Sequence, residues 1–433
     1  MGGNVLCRLT KGSGSMDESK PSPDEQIVSL LAPEFEDDPI GALARLREWA
    51  PMVRVGFPGG QRVWLMTRSE LIRKVLSDPR FVVDVSKVPG HEGPSITEQM
   101  VATLDLSDEL SDYFGANLML EDGQSHARLR RTLAPAFTNR RIEALRPRIE
   151  KTSAGLLDAL ERKGSGDLLH EYAAPLTIDV ICGLIGIDET DQPRIQKWMG
   201  EYANAEADFT TSLLGLCEYL RELITRRRAQ PANDTISTLV RAMDSDDVRL
   251  DEADAISMAV TLVNASYHAM NDFILNGVLA LQDNPDQLAL LRAKPEALPH
   301  AVEELMRMAS SISTAGPRYA TQDMELAGVQ VCQGDALTGS LHAANFDPRH
   351  FPRPEQCDIQ RVPKRGEGHL SFGAGPHRCI GASLANLEGE VAIDHLMLQR
   401  DSLELAVSRR ELTYRDTMPG GAPRLLTSFP VRI

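Results

Sequence analysis

The sequence predicts a mainly α protein with a small β portion, folded as one domain. Three observations carry that reading. Apolar residues recur at helical spacing over most of residues 123–310. Short β-like runs are confined to residues 52–66 and to the stretch after Gly316. No internal repeat or heptad pattern interrupts this layout. The chain has 433 residues, which would suit two or three average domains but also fits one large one. An apolar content of 42% is enough for a substantial core.

The elements are expected in the following order. Residues 1–37 read as a disordered N-terminal tail, because Met1 to Ser15 is Gly-rich without an apolar signal core and residues 16–33 are polar with prolines. The domain is placed at 38–433. Ile40, Leu43, Leu46 and Trp49 mark a helix from Pro39 to Trp49. Runs 52–57 and 61–66, split by Pro58-Gly59-Gly60, predict a hairpin. Residues 80–116 mix Pro, Gly and acidic residues and read as a mobile loop region. Helices are predicted over 123–136, 140–163, 166–185, 190–206, 208–229, 233–243, 250–282, 285–293 and 296–310. Short strands follow at 318–320, 324–326 and 329–331. A proline-rich irregular stretch, 347–370, precedes a last helix over 381–399 and strand-like pieces to Ile433.

With 46 basic and 62 acidic residues, the net charge of −16 argues against a nucleic-acid partner and against docking on anionic lipid. Cys7, Cys182, Cys217, Cys332, Cys357 and Cys379 show no CxxC pairing and read as reduced thiols of a cytoplasmic protein. No uninterrupted apolar stretch reaches membrane-spanning length.

The most informative segment is Phe372-Gly373-Ala374-Gly375-Pro376-His377-Arg378-Cys379-Ile380-Gly381. A lone cysteine in a glycine-punctuated loop, followed by a helix of small residues, suits a thiolate bound to a buried metal. The glycines let the loop fold tightly and aim amide N–H groups at the sulfur. The helix N-terminus adds partial positive charge, which is expected to favour the ionised thiol. Phe372 is expected to cover the sulfur from water. A buried structural cysteine in a chance loop is the plain alternative.

This string resembles the haem-binding signature of the cytochromes P450, the haem-thiolate monooxygenases, in the form Phe-Gly-x-Gly-x-His-x-Cys-x-Gly of soluble bacterial members. The resemblance runs from about residue 38 to the end. It implies the family's single-domain, triangular, α-rich fold and haem b (iron protoporphyrin IX) as cofactor. Cys379 would be the axial ligand, in a cofactor loop shaped by Phe372, Gly373 and Gly381. Eukaryotic microsomal members carry a membrane helix and soluble bacterial ones do not.

Other motifs fall in register with this one. Glu304-Leu305-Met306-Arg307 places a carboxylate and a guanidinium on one helix face. By resemblance the pair joins Arg361 in a network that braces the cysteine loop; Cys357 stands where the family usually has Phe. His126 and Arg130, four apart, share a helix face, and the resemblance implies contact with one haem propionate. Arg318 and His377 match the positions that contact the other. Asn386 departs from the family's usual Arg.

The central helix departs most. Where family members carry a kinked Ala-Gly-x-(Asp/Glu)-Thr turn that relays protons to iron-bound dioxygen, this chain has Ala265-Ser266-Tyr267-His268-Ala269. The alcohol is missing at Ala269 and the acid is replaced by His268. Besides direct ligation of the iron by His268, which the family's usual orientation of the acid disfavours, two readings stay open. Either the imidazole carries protons, since it titrates near neutral pH, or water or a polar group of the substrate does so.

The resemblance therefore implies a monooxygenase of secondary metabolism performing hydroxylation, epoxidation or oxidative coupling on a small-molecule or carrier-bound substrate. Substrate contacts are expected from 80–116, Asn264, Ala265, Ala269, Ser313 to Ala315 and Pro419 to Ala422. Arg128, Arg131, Arg140, Arg141, Lys364, Arg365 and Arg378 suit docking of an acidic ferredoxin, itself served by a ferredoxin reductase, or form an ordinary solvated face. The alternatives are a peroxide-using or rearranging haem-thiolate enzyme and a catalytically silent haem-bearing interaction partner.

Overall fold

The computed structural model describes residues 27–30, 32–56, 62–95, 98, 110, 118–204, 209–245, 250–363, 366–400, 402–415 and 425–433. Helices Gln192–Asn204, Phe209–Ala229, Thr235–Met243, Glu252–Asp283, Pro285–Ala293 and Leu298–Met308 form within a few residues of the predicted bounds. Others are interrupted, for local reasons. Helix Gly123–Leu133 gives way to a 3-10 turn, Ala134–Phe137, where Pro135 lacks an N–H. The predicted 140–163 helix breaks after Glu143 and restarts as Arg146–Lys163, with Pro147 in its first turn and Gly164 at φ 74 ending it. The 166–185 stretch opens as a strand, Ser165–Asp167, and a π-turn, Leu169–Ala173, before helix Ala174–Ile185. The last helix is α-helical over Ala382–Ile393 and continues as a π-turn, Asp394–Leu398.

The main sheet has six strands, ordered Ile27–Val28, Met52–Gly56, Arg62–Met66, Ala336–Gly339, Arg318–Ala320 and Phe81–Val82. Met52–Gly56 and Arg62–Met66 pair antiparallel, as the hairpin reading required; the turn between them lies outside the described residues. Alternation sends Val53, Val55, Val63 and Leu65 into one apolar cluster and Met52, Trp64 and Met66 into another, so both faces of the sheet are covered.

Two expectations are corrected here. Residues 27–30 and 32–37, expected as part of a disordered tail, are structured: Ile27–Val28 pairs in parallel with Met52–Gly56, and Leu30 and Phe35 are buried, while residues 1–26 lie outside the described residues. Burial of those two side chains supplies what a polar tail would lack. Within 80–116, residues 81–88 are also ordered, with Phe81–Val82 in the sheet and Val83, Val85 and Val88 buried. Most of 96–117 lies outside the described residues.

The largest core surrounds helix Glu252–Asp283. A reciprocal capping box starts it: Asp254 N donates to Asp251 Oδ1 at 2.8 Å and Asp251 N to Asp254 Oδ2 at 3.2 Å. Gly389 on helix Ala382–Ile393 lies against Phe273, whose ring would be 2.7 Å from a Cβ placed there. That close approach ties the cysteine's own helix to the central one.

Candidate functional site

The cysteine loop closes on itself through backbone bonds. Gly373 N donates to Leu370 O (2.7 Å), Arg378 N to Gly375 O (3.1 Å) and Cys379 N to Phe372 O (2.9 Å). Gly373 and Gly375 lie at φ 67 and 69, a region open to glycine. A Cβ on Gly375 would sit 2.1 Å from the carbonyl oxygen of Leu76, so helix Ser69–Ser77 forms a wall of the loop. The Gly381 amide donates to the sulfur.

The Cys379 thiol reaches solvent although protein encloses it on most sides, as for a group at the foot of a cleft. Burial raises the free thiol above its ordinary pKa, while the Gly381 amide, Arg378 and Arg130 pull the other way. The expected ionising field is present, but burial outweighs it. Phe372 lends its carbonyl to Cys379; its ring lies 5.5 Å from that of His369 and 6.0 Å from the Arg378 guanidinium.

The predicted cations converge. The His126 and His377 rings are 4.1 Å apart. Burial, then the charges of His377 and Arg130, push the His126 pKa down to about 4, with Arg318 adding and Asp122 opposing. Its imidazole is therefore neutral near pH 7, and among the described residues its buried Nε2 has no hydrogen-bond partner. Arg318 is buried and donates to the carbonyls of Gly316 (3.2 Å) and Pro317 (3.1 Å). Burial lowers Arg130 as well, offset by Cys379. A cleft of about 1140 Å³ opens between helix Gly123–Leu133 and the loop, with His126, Arg130, Arg378 and Gly375 on its walls.

Asp122 was not foreseen from sequence. It lies 3.7 Å from His377 and accepts from the amides of Val83 (2.7 Å) and Asp84 (2.8 Å). Burial pushes its carboxyl up, but the bonds from His377, Asp84 and Val83 prevail and hold it below the usual range. This donor set fits haem: a thiol with two imidazoles and two guanidiniums nearby for two carboxylates, and at Gly381 no side chain stands against the sulfur, where a Cβ would come to 3.8 Å.

Glu304 and Arg307 form a buried bidentate pair, 2.8 Å at both contacts. Arg361 adds Nε contacts to Glu304 at 3.0 and 3.1 Å. Burial pushes the Cys357 thiol up to about 12, with Glu304 contributing. Sequence reasoning missed Asn345 and Ser371, which link this network to the loop. Arg307 donates to Asn345 O (2.8 Å), Asn345 Nδ2 to Ser371 Oγ (2.8 Å), Leu370 N to Asn345 Oδ1 (2.7 Å) and Ser371 Oγ to Met306 O (2.7 Å). Nothing local to a lone Asn or Ser announces burial.

Helix Glu252–Asp283 runs through 265–269 without interruption. Ser266 replaces the glycine and Ala269 the alcohol, leaving neither of those features to interrupt the i→i−4 ladder. Ala265 is exposed and Ser266, His268 and Ala269 are half-buried, whereas Val263, Tyr267 and Met270 are buried. Tyr267 thus belongs to the core, with its ring edge-on to His268 at 5.1 Å. Half-buried Asn264 lies on the same helix. Segment 313–315 is tied to strand Ala336–Gly339 through Ala315 N to Gly339 O at 2.9 Å. Residues 419–422, Lys364 and Arg365 lie outside the described residues.

Comparison with known proteins gives the same class. The cytochrome P450 family model matches residues 291–418. The 6-deoxyerythronolide B hydroxylase of Saccharopolyspora erythraea is 35% identical over 411 residues, which are 94% of this chain and 99% of that one. The ligand-free P450 monooxygenase TamI superposes with a TM-score of 0.81 at 34% identity, over 94% of both chains. P450BioI, in complex with an acyl carrier protein bearing hexadec-9Z-enoic acid, superposes with a TM-score of 0.79 at 31% identity, covering 93% of this chain and 100% of that one. The chain belongs to the cytochrome P450 family and is a haem b monooxygenase of the secondary-metabolism type. Among the described residues no helix is long and apolar enough to cross a membrane.

Proposed function

We propose that Cys379 would hold haem iron through its sulfur and that the enzyme oxidises a macrolide- or polyketide-type substrate, free or held on a carrier protein. The observation that carries this reading is that the cysteine loop and His126 and Arg130 line one cleft, with His377 stacked on His126 and Arg318 acting on the same imidazole. Those four side chains would hold the two propionates, with Arg130 and Arg318 as charged forks and His126 Nε2 as a donor still in want of a partner. Haem bound through a thiolate supplies activation of dioxygen for oxidation of the substrate.

The chain's own part is orientation and proton supply. Ala265 and Ala269 carry small side chains on the accessible side of the helix, where His268 would hold and pass a proton at its imidazole. A water or a hydroxyl of the substrate is the other carrier. Electrons would come from an acidic ferredoxin and its reductase, docking where Arg131, Arg140 and Arg378 are exposed.

A carbon monoxide difference spectrum of the reduced protein tests the ligand. A thiolate-type band is expected, and failure to bind haem sinks the assignment. The missing hydroxyl at Ala269 and the unbroken helix favour one second reading, peroxide-driven turnover. Product from peroxide but none from NADPH, reductase and ferredoxin would select it. Intact haem with neither activity would instead favour a silent partner.

A further inference from the structure

We infer that His369, acting with Glu303 and Asn386, is a positioning residue for Cys379, clamping the chain that enters the cysteine loop to the helices on either side of it. This rests on Cys379 being the iron ligand. Glu303 and Glu304 are neighbours on helix Leu298–Met308, and successive side chains on a helix diverge by about 100°. Glu304 turns toward Arg361, whereas Glu303 turns toward the loop.

Glu303 Oε2 lies 3.0 Å from His369 Nε2, and Oε1 accepts from Asn386 Nδ2 at 2.6 Å. The Nδ1 of His369 accepts the Ser371 amide at 3.2 Å. With Nδ1 an acceptor, the ring hydrogen sits on Nε2 and is donated to the carboxylate. The His369 side chain is only 5% exposed, whereas that of Glu303 is 48% exposed, so the imidazole is the fixed partner and the carboxylate the solvated one. The His369 bond holds the Glu303 carboxyl below its usual range, which keeps the acceptor charged.

Three pieces of chain are joined in this way. His369 belongs to the backbone entering the loop, whose Phe372 carbonyl receives the Cys379 amide. Glu303 belongs to the helix of the buried Glu304–Arg307 pair. Asn386 belongs to the helix that leaves the loop. The neutral amide at 386, where resemblance implies an arginine, gives Glu303 a short, directional donor in place of a long cation. Both ends of the loop are thereby referred to one carboxylate, which limits how far the sulfur can swing.

The experiment compares haem-loaded wild type with His369→Ala, His369→Gln and Asn386→Ala. It reads the band of the reduced carbon monoxide complex, the haem midpoint potential, the melting temperature and hydrogen exchange at the amides of 370–379. Wild type lacking the thiolate-type band would overturn the Cys379 assignment itself, apart from this proposal. With that band present, His369→Ala should lose a large share of it to the thiol-type band, shift the potential and speed exchange several-fold in 370–379. His369→Gln, whose amide still reaches Glu303, should recover most of each signal. Asn386→Ala should move all three in the same direction by less, and it decides the matter if His369→Ala does not fold. A lowered melting temperature with band, potential and exchange at wild-type values would show plain structural support and refute the clamp.

Discussion

Glu388 offers the sharpest test of the buried electrostatics. It lies on helix Ala382–Ile393 with no exposure and accepts from Thr177 Oγ1 at 2.8 Å; among the described residues its Oε2 has no partner. Burial lifts its pKa from 4.5 to about 7, against the Thr177 bond and with help from Asp179. In the unfolded chain the carboxyl gives up its proton near 4.5, whereas in the folded protein it keeps it to about 7. The folded state therefore binds more protons between these limits, and stability falls as pH rises through that window. The stabilisation is full below 4.5 and gone above about 7, a difference of about 3 kcal/mol. Glu388→Gln keeps the Thr177 contact and removes the titration. Urea denaturation of both proteins, taken at several pH values, isolates the effect because the other titrating groups cancel in the difference. The variant should match wild type at acid pH and gain about 3 kcal/mol relative to it above neutrality. Parallel pH profiles for the two proteins would refute the reasoning.

Other changes probe the site directly. Gly375→Ala drives a Cβ to 2.1 Å from Leu76 O at φ 69 and adds about 1–2 kcal/mol of backbone strain; the haem-to-protein ratio should drop, and a wild-type ratio would contradict it. Glu304→Ala leaves buried Arg307 without its anion and should cost about 3–5 kcal/mol in urea denaturation. A loss below about 1 kcal/mol would mean that the pair is not the brace its geometry implies. His268→Ala should lower the fraction of electrons recovered in product if the imidazole carries protons, and unchanged coupling and rate would remove that role.

Much of the helical body could be read because long amphipathic stretches repeat their signal many times; Pro285–Ala293 falls at its predicted bounds. The cysteine loop was legible for a different reason, since Gly373 and Gly375 stand where only unusual backbone angles serve. What escaped was short or small. Helix Ser69–Ser77 spans only nine residues, five of them polar, although Leu71, Ile72, Val75 and Leu76 are buried. Strand Ala336–Gly339 has no alternation because it lies inside a sheet covered on both faces, and Leu337 is its only large apolar residue. The network polar residues Asn345 and Ser371, like His369 and Asp122, gain meaning only from partners distant in sequence. Burial of Leu30 and Phe35 likewise depends on strands that follow them.

Residues 352–361 contain neither helix nor strand, and Arg361 does much to hold their shape. Its guanidinium reaches the carbonyls of Pro352 (2.8 Å), Gln356 (3.0 Å) and Arg353 (3.3 Å), besides Glu304. Arg353 meanwhile sits at φ 50, a costly angle for a residue with a Cβ. Glu304 and Gln287 add acceptors for the amides of Asp358 and Ile359, so side chains do much of the work that a ladder of backbone bonds does elsewhere. The segment has no reason to adopt this path until Glu304 is in place to receive the cation. Its ordering should come late in folding, together with the pocket it supports, and a cut or insertion between 352 and 361 should loosen both at once.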